Sequence, residues 1–145
     1  QAGRDMDGAV TYLQGHDAVA GSGLGVTGFC MGGGLAMVLA CQQPEAIAAC
    51  VPWYGLIPWE HAQPDWSAMR APLLGHVAGR DEMFTVAAAR ELEQKLRDLD
   101  KEVEFHVYED ADHAFFNDTR PEVYDADASA LAWGRTVTFL HDRLG

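Results

Sequence analysis

Apolar positions along the chain recur with helical spacing in some segments and form short uninterrupted runs in others. Residues 5–14 place four apolar side chains on one helical stripe, and residues 85–100 combine strong helix formers with an apolar face. Short apolar runs that end in glycine or polar residues predict strands. The pattern therefore predicts strands at 25–29, 46–55, 72–79 and 103–110, and further helices at 32–43 and 125–144.

The alternation of strands with helices predicts an α/β fold, with a parallel sheet of about four strands flanked by helices, in a single domain. In such a sheet, reactive side chains gather beyond the carboxyl ends of the strands. The glycine-rich segment 21–25, GSGLG, separates the first helix from the first strand. It precedes a strand, whereas the glycine loop of a dinucleotide site follows one, so it is a weak sign of a cofactor.

Composition narrows the classes of partner. The 145 residues carry a net charge of −12, which repels phosphate backbones, so nucleic acid is not expected as a partner. No apolar run reaches the roughly 20 residues of a membrane span, and no basic and apolar leader opens the sequence. Cys30, Cys41 and Cys50 are an odd number of cysteines, which favours free thiols and a cytoplasmic location. Cys41 and Cys50 are expected in the core.

Three reactive residue types follow three of the predicted strands. Cys30 ends the first strand, Asp81 lies just beyond the third, and His113 lies beyond the fourth. A thiolate can attack a carbonyl carbon, an imidazole can transfer the proton, and a carboxylate can hold the imidazole in the productive tautomer. The chain order nucleophile, acid, base is that of α/β-hydrolases, so the sequence predicts a Cys30–Asp81–His113 triad.

Glycines surround the predicted nucleophile in the motif GFCMGGG. In a tight strand-to-helix turn, side chains two positions before and after Cys30 would collide, so Gly28 and Gly32 are expected to be required. Such a turn exposes the Cys30 thiol at a helix N-terminus, where the helix dipole favours a thiolate. The backbone N–H of Met31 would then point at the developing oxyanion.

Each of these assignments has a competing interpretation. Cys30 could be a small buried apolar residue, and Asp81 could be a helix cap, with Glu82, Asp110 and Asp112 as alternative acids. No zinc-binding spacing occurs, so a metal site is not expected. The other histidines are predicted to be surface groups (His16, His61 and His141) or structural strand residues (His76 and His106).

Aromatic residues cluster near the end of the second predicted strand. Trp53, Tyr54, Trp59 and Trp66 either line an apolar substrate pocket above Cys30 or belong to the core. The residues by themselves leave both interpretations open.

The motifs GFCMGGG, VPWYG, HVAGRDEMF and YEDADHAFF, with the tail NDTRPEVYDADASALAWGRTVTFL, together resemble the dienelactone hydrolase family, the carboxymethylenebutenolidase-like branch of the α/β-hydrolases. The resemblance extends over nearly the whole chain. It implies hydrolysis of a small-molecule ester or lactone without a cofactor, with Cys30 as nucleophile, Asp81 as acid and His113 as base. Phe115 and Arg120, which lie in and after the histidine motif, are further candidates for the substrate pocket.

The resemblance covers only the later part of that family's fold, a truncated form without counterparts of the earlier strands. The first predicted strand should therefore be an exposed apolar edge, which favours pairing with another chain and predicts a homo-oligomer joined through that edge. The alternative to an active hydrolase is a catalytically silent half-fold that associates with itself or binds a partner without turnover.

Overall fold

The computed structural model describes residues 1–21, 23–55, 57 and 59–145. Ser22 of the predicted GSGLG break lies outside the described residues. The predicted order of helices and strands is confirmed, although the first helix begins earlier than expected. Within the described residues the elements are α1 (Ala2–Gln14), β1 (Leu24–Phe29), α2 (Met31–Gln42), β2 (Ile47–Trp53), β3 (Leu73–Ala78), α3 (Val86–Asp98), β4 (Val103–Tyr108) and α4 (Ala126–Leu144), with short 3₁₀ helices at Glu60–Ala62 and Trp66–Ala68.

The four strands form one parallel sheet in the order β1-β2-β3-β4. The register brings their carboxyl ends to one edge, because Phe29 pairs with Trp53, Trp53 with His76, and Ala78 with Tyr108. Parallel strands need crossover connections, which α2 and α3 supply. The predicted α/β fold is thus confirmed, and the segments that follow the strands all start along the same edge of the sheet.

Two helices begin at side-chain caps that the sequence carries. Thr85 accepts a hydrogen bond from the N–H of Ala88 at 3.2 Å, and Asp125 accepts one from the N–H of Ala128 at 2.9 Å. Hydroxyl and carboxylate side chains are favoured at this position because they satisfy an N–H that has no acceptor within the helix. These caps end the loops that follow β3 and β4.

Helices cover both faces of the sheet. On one face, α1, α2 and α3 pack around a core that includes the buried Met37 and Leu96, whereas α4 covers the other face and buries Ala132 there. Cys41 and Cys50 lie in the first of these cores, as predicted. Burial raises the pKa of the Cys41 thiol to about 11 and that of Cys50 further, so both thiols stay protonated at neutral pH.

His76 is a buried polar residue between the sheet and α4. Its Nδ1 lies 2.9 Å from the hydroxyl of Tyr108, and its Nε2 lies 2.8 Å from the hydroxyl of Thr136 in α4. Burial lowers the pKa of His76 to about 3, and the charges of His106 and Arg135 act in the same direction. His76 is therefore neutral at physiological pH and links β3, β4 and α4, which is the structural role predicted for it.

β1 is the terminal strand of the sheet that the described residues form. An apolar groove of about 350 Å³ runs along it between α1 and α2, and its lining includes Val10, Val26 and Leu35. This geometry agrees with the open apolar edge predicted for the strand. No helix in the described part of the chain is both long enough and apolar enough to cross a membrane.

Candidate active site

Cys30 lies at the turn between β1 and α2 in a strained backbone conformation. Its φ is 54° and its ψ is −123°, in a region that few residues other than glycine adopt. Its N–H donates to the carbonyl oxygen of Trp53 at 2.9 Å, and its carbonyl oxygen accepts from the N–H of Gly33 at 2.9 Å. Hydrogen bonds therefore hold the Cys30 backbone on both sides. The thiol is half-buried, and among the described residues it accepts no hydrogen bond from a backbone N–H at the start of α2.

Close backbone packing explains one of the two predicted elbow glycines. A Cβ at Gly28 would lie 2.1 Å from the carbonyl oxygen of Gly32, so only glycine fits there. A Cβ at Gly32 would meet no described atom within 4 Å, so the steric requirement expected at Gly32 is wrong. The reason is that Gly32 faces Gly28 with its carbonyl group, so that the contact falls on the carbonyl and not on the Cα position of Gly32.

The sequence analysis missed a close contact between Gly33 and Gly55. A Cβ on Gly55 would lie 2.6 Å from the Gly33 Cα.

The loop after β3 holds Asp81 against His113. The Nδ1 of His113 lies 2.6 Å from Oδ2 of Asp81. The other oxygen, Oδ1, accepts hydrogen bonds from the N–H groups of Met83 at 2.7 Å and Phe84 at 3.0 Å. The Asp81 side chain is fully buried, and an ionised carboxylate only accepts hydrogen bonds, so Nδ1 of His113 is the donor. This leaves Nε2 of His113 to accept a proton.

Phe115 anchors the loop that presents His113. Its carbonyl oxygen accepts hydrogen bonds from the N–H of Asp125 and the hydroxyl of Ser129, both at 3.0 Å. Its ring is fully buried and packs edge-on against Tyr54 at a centroid distance of 5.5 Å. Phe115 therefore belongs to the core beneath the loop and is not a pocket residue, which corrects the prediction.

A cavity of about 230 Å³ opens at the carboxyl edge of the sheet. The ring of Tyr54 packs edge-on against His113 there, with 5.2 Å between centroids. Burial, followed by the proximity of Cys30, raises the pKa of Tyr54 to about 12, so its phenol remains protonated beside the thiol. The described lining residues are Cys30, Met31, Tyr54, Trp59, Met83, Phe84 and His113. The cavity thus combines a thiol, an imidazole and a phenol with apolar walls.

Several residues predicted near the pocket lie elsewhere. Trp53 is fully buried with its ring centroid 4.2 Å from that of His76, so it is a core residue. Trp66 is also buried and lines a neighbouring cavity. Arg120 is exposed and forms an ion pair with Glu122 at 2.9 Å, and it is not among the residues that line the cavity around Cys30.

Two residues that line the cavity, Cys30 and Tyr54, follow strand ends directly. Trp53 is the last residue of β2, and Tyr54 is the first residue beyond it. Met83 and Phe84 line the cavity but were missed in the sequence analysis, although they follow Asp81 within three positions. Proximity to a predicted catalytic residue in the chain is the signal that could have identified them.

The alternative acids do not take the place of Asp81. Asp110 is exposed and forms an ion pair with an arginine at 2.8 Å, and Glu82 is exposed. Asp81 is the acid whose carboxylate contacts the imidazole of His113. Within the residues that the structure describes, no group of three His, Cys, Asp or Glu side chains could hold a metal ion.

The parallel sheet and the strand-to-helix turn at its carboxyl edge define an α/β-hydrolase architecture. A solved structure of the same fold is a dienelactone hydrolase-like promiscuous phosphotriesterase, P91, from metagenomic libraries. The two share a TM-score of 0.86 at 21% identity, and the match covers 99% of this chain and 62% of that one.

The chain belongs to the dienelactone hydrolase family, whose family model matches residues 1–144. It is 32% identical over 145 residues to the "Probable 2-oxo-3-(5-oxofuran-2-ylidene)propanoate lactonase" of Bradyrhizobium sp., a match to 94% of this chain and 57% of that protein. It is 35% identical over 121 residues to Protein usf of Aquifex pyrophilus, covering 83% of this chain and 52% of that protein. The chain therefore spans about half the length of these curated relatives.

Proposed function

We propose that the chain carries the catalytic centre of a hydrolase that cleaves esters or lactones through a Cys30–Asp81–His113 triad. The observation that carries the proposal is the 2.6 Å hydrogen bond between His113 and Asp81 at a cavity that Cys30 also lines. Family membership, and the lactonase name of one relative, support the class of reaction. They favour a hydrolase over a silent half-fold that binds without turnover.

Each group has a defined role in the proposed reaction. Nε2 of His113 takes the thiol proton of Cys30, and the sulfur attacks the carbonyl carbon while the carbonyl π electrons move to oxygen. The N–H of Met31 and the N-terminus of α2 stabilise this oxyanion. Its collapse expels an alkoxide, which takes the proton from His113. Water deprotonated by His113 then attacks the acyl-Cys30 thioester, and the Cys30 thiolate leaves and takes the proton back from His113. Asp81 stabilises the imidazolium in both steps.

The cavity favours a small uncharged substrate group. Met31, Trp59 and Met83 contribute apolar surface, and none of the described lining residues is a lysine or an arginine. Arg120 is exposed and already paired with Glu122. The net charge of −12 further disfavours the approach of anions. We therefore propose neutral esters or lactones as the substrates of this site.

Alkylation of the thiols by iodoacetamide, followed by mass spectrometry between about pH 5 and 9, tests the proposal. Iodoacetamide should label Cys30 faster than the buried Cys41 and Cys50 across this range, because Cys30 lines the cavity beside His113, which can take the thiol proton. The His113→Ala variant should lose this reaction at low pH, whereas His141→Ala, which changes an exposed histidine, should keep it. If Cys30 is labelled at the same rate in all three proteins, the triad is not assembled and the silent alternative stands.

We also propose that a second copy of this chain covers the open edge of β1. Among the described residues β1 pairs with β2 alone, and a strand edge beside an apolar groove is a template for pairing. Two β1 strands joined across a twofold axis would continue the sheet. Light scattering should then give twice the monomer mass. Leu35→Glu places a charge in the groove and should yield monomers, whereas Leu131→Glu, on the exposed surface of α4, should not. A wild-type protein that is monodisperse as a monomer contradicts this assembly.

The thiols suggest the compartment in which the protein works. Cys30, Cys41 and Cys50 are all free. Because a free catalytic thiolate is oxidised in disulfide-forming compartments, we propose a reducing location such as the cytoplasm. Cell fractionation with antibodies against the chain would check it.

A further inference from the structure

Phe84 lies between the catalytic cavity and a second cavity. It lines the space of about 230 Å³ around Cys30 and also a space of about 270 Å³ beside α3. Each space is smaller than the roughly 300–1,000 Å³ of typical ligand pockets, whereas the two joined would fall within that range. The phenylalanine side chain is therefore a wall shared by both.

This wall is held firmly in place. Phe84 is only 3% exposed, and its ring packs edge-on against Phe105 at a centroid distance of 6.3 Å. Its N–H donates to Oδ1 of Asp81 at 3.0 Å, the carboxylate that holds His113. The position of the wall is thus tied to the geometry of the triad.

Part of the second cavity is apolar surface that an alkyl or aryl chain could contact, contributed by Met37, Ile57 and Leu92. The indole N–H of Trp66 is buried within its lining, and among the described atoms it has no hydrogen-bond acceptor. Polar groups contribute to the lining as well. The described residues around it are Met37, Ile57, Gln63, Trp66, Phe84, Ala88, Glu91, Leu92 and Lys95.

We infer that Phe84 determines the size of the acyl group that the Cys30 site accepts. In the wild-type protein the ring closes the catalytic cavity and restricts it to short acyl groups. A smaller residue at position 84 would open the second cavity, so that a long chain attached at Cys30 could extend toward Trp66. This inference rests on the proposed function, because it requires a Cys30 thiol that reagents can reach from the catalytic cavity.

Alkylation of Cys30 by maleimides measures the space without requiring turnover. In the wild-type protein, N-ethylmaleimide should react with Cys30 at least roughly tenfold faster than N-octylmaleimide. The reason is that the longer octyl chain would have to fit against the Phe84 ring. Phe84→Ala should bring the two rates to within roughly threefold of each other. The rate ratio of Phe84→Leu should lie between those of the wild-type protein and Phe84→Ala. This variant serves the same purpose if the alanine variant does not fold.

Met83→Ala is the matched control. Met83 neighbours Phe84 in the chain but lines the catalytic cavity without lining the second one. Its truncation should accelerate both maleimides and leave their ratio unchanged. A ratio that changes as much in Met83→Ala as in Phe84→Ala would mean that the mouth of the cavity, and not the Phe84 wall, limits chain length.

The indole ¹H–¹⁵N resonance of Trp66 gives a second readout. It should shift on alkylation by N-octylmaleimide in Phe84→Ala and stay unchanged in the wild-type protein and with N-ethylmaleimide. If N-ethylmaleimide labels Cys30 but neither the rate ratio nor the Trp66 resonance responds to the substitution, the inference about Phe84 is overturned while the proposed function stands. If N-ethylmaleimide fails to label Cys30 at all, the proposed function is overturned, and the inference with it.

Discussion

The imidazole of His113 donates from Nδ1 to Oδ2 of Asp81 across 2.6 Å, although the two residues belong to loops that follow different strands. The bond forms because the register of β3 and β4 aligns Ala78 with Tyr108, so both loops start at the same level of the sheet. Burial of the Asp81 side chain and two backbone donors to its other oxygen fix the orientation of the pair. The geometry leaves Nε2 of His113 as the proton acceptor.

Replacement of Asp81 by asparagine should remove most of the proposed esterase activity. The amide cannot stabilise a charged imidazolium, and in a comparable triad this change lowers kcat by about 10⁴-fold. The kcat for a short-chain nitrophenyl ester checks the prediction. Asp110→Asn, which alters an exposed carboxylate in the neighbouring loop, should retain activity within about twofold. Equal losses in both variants would mean that Asp81 has no special role.

Gly28 and Gly32 should respond differently to alanine. In Gly28→Ala the new Cβ would lie 2.1 Å from a backbone oxygen, so the free energy of unfolding should fall by about 3 kcal/mol or more. In Gly32→Ala the Cβ meets open space within the described structure, and helix propensity makes a change of less than about 1 kcal/mol expected. Urea denaturation of both variants measures the difference. Similar losses at the two positions would contradict the steric explanation.

Acid should destabilise the protein partly through His76. Its pKa in the folded state, about 3, lies below the ordinary value of 6.5, so the unfolded chain binds more protons between these limits. The stability that comes from keeping His76 neutral is complete above about pH 6.5 and is lost as the pH falls from there toward 3. At pH 5 the loss amounts to about 2 kcal/mol.

The variant His76→Gln isolates this contribution, because glutamine does not titrate. Between pH 7 and 5 its free energy of unfolding should fall by about 2 kcal/mol less than that of the wild-type protein. His141→Gln, at an exposed position, should follow the wild-type pH dependence. Parallel curves for all three proteins would show that His76 does not carry the effect.

Glu93 should contribute more to stability than an exposed carboxylate. Its side chain is 7% exposed and accepts hydrogen bonds from Arg90 at 2.7 Å, Arg97 at 2.9 Å and the N–H of Phe105 at 3.2 Å. Glu93→Gln should therefore lower the free energy of unfolding by about 2 kcal/mol. Glu45→Gln, which breaks an exposed pair with Arg70, should cost less than about 1 kcal/mol. Thermal or urea unfolding distinguishes the two, and equal effects would contradict the importance of burial.

Local pattern predicted the elements because helix and strand periodicity depend on neighbours in the chain. Thr85 and Asp125 cap helices where the sequence analysis began them. The positions of Cys30, Asp81 and His113 beyond strand ends were also visible in the sequence. Parallel pairing then brings these loops to one edge, so the candidate site followed from the strand assignments.

The sequence by itself determined the α/β fold, the order of the strands along the chain and the loops that carry Cys30, Asp81 and His113 at the carboxyl edge. Only the tertiary structure decided that Gly28 and not Gly32 is sterically required, that Trp53 and Phe115 are core residues, and that Phe84 separates two cavities. These outcomes depend on which atoms of distant segments approach one another. Hydrophobicity and spacing do not encode such distances, because the same aromatic residue satisfies a core position and a cavity wall equally well.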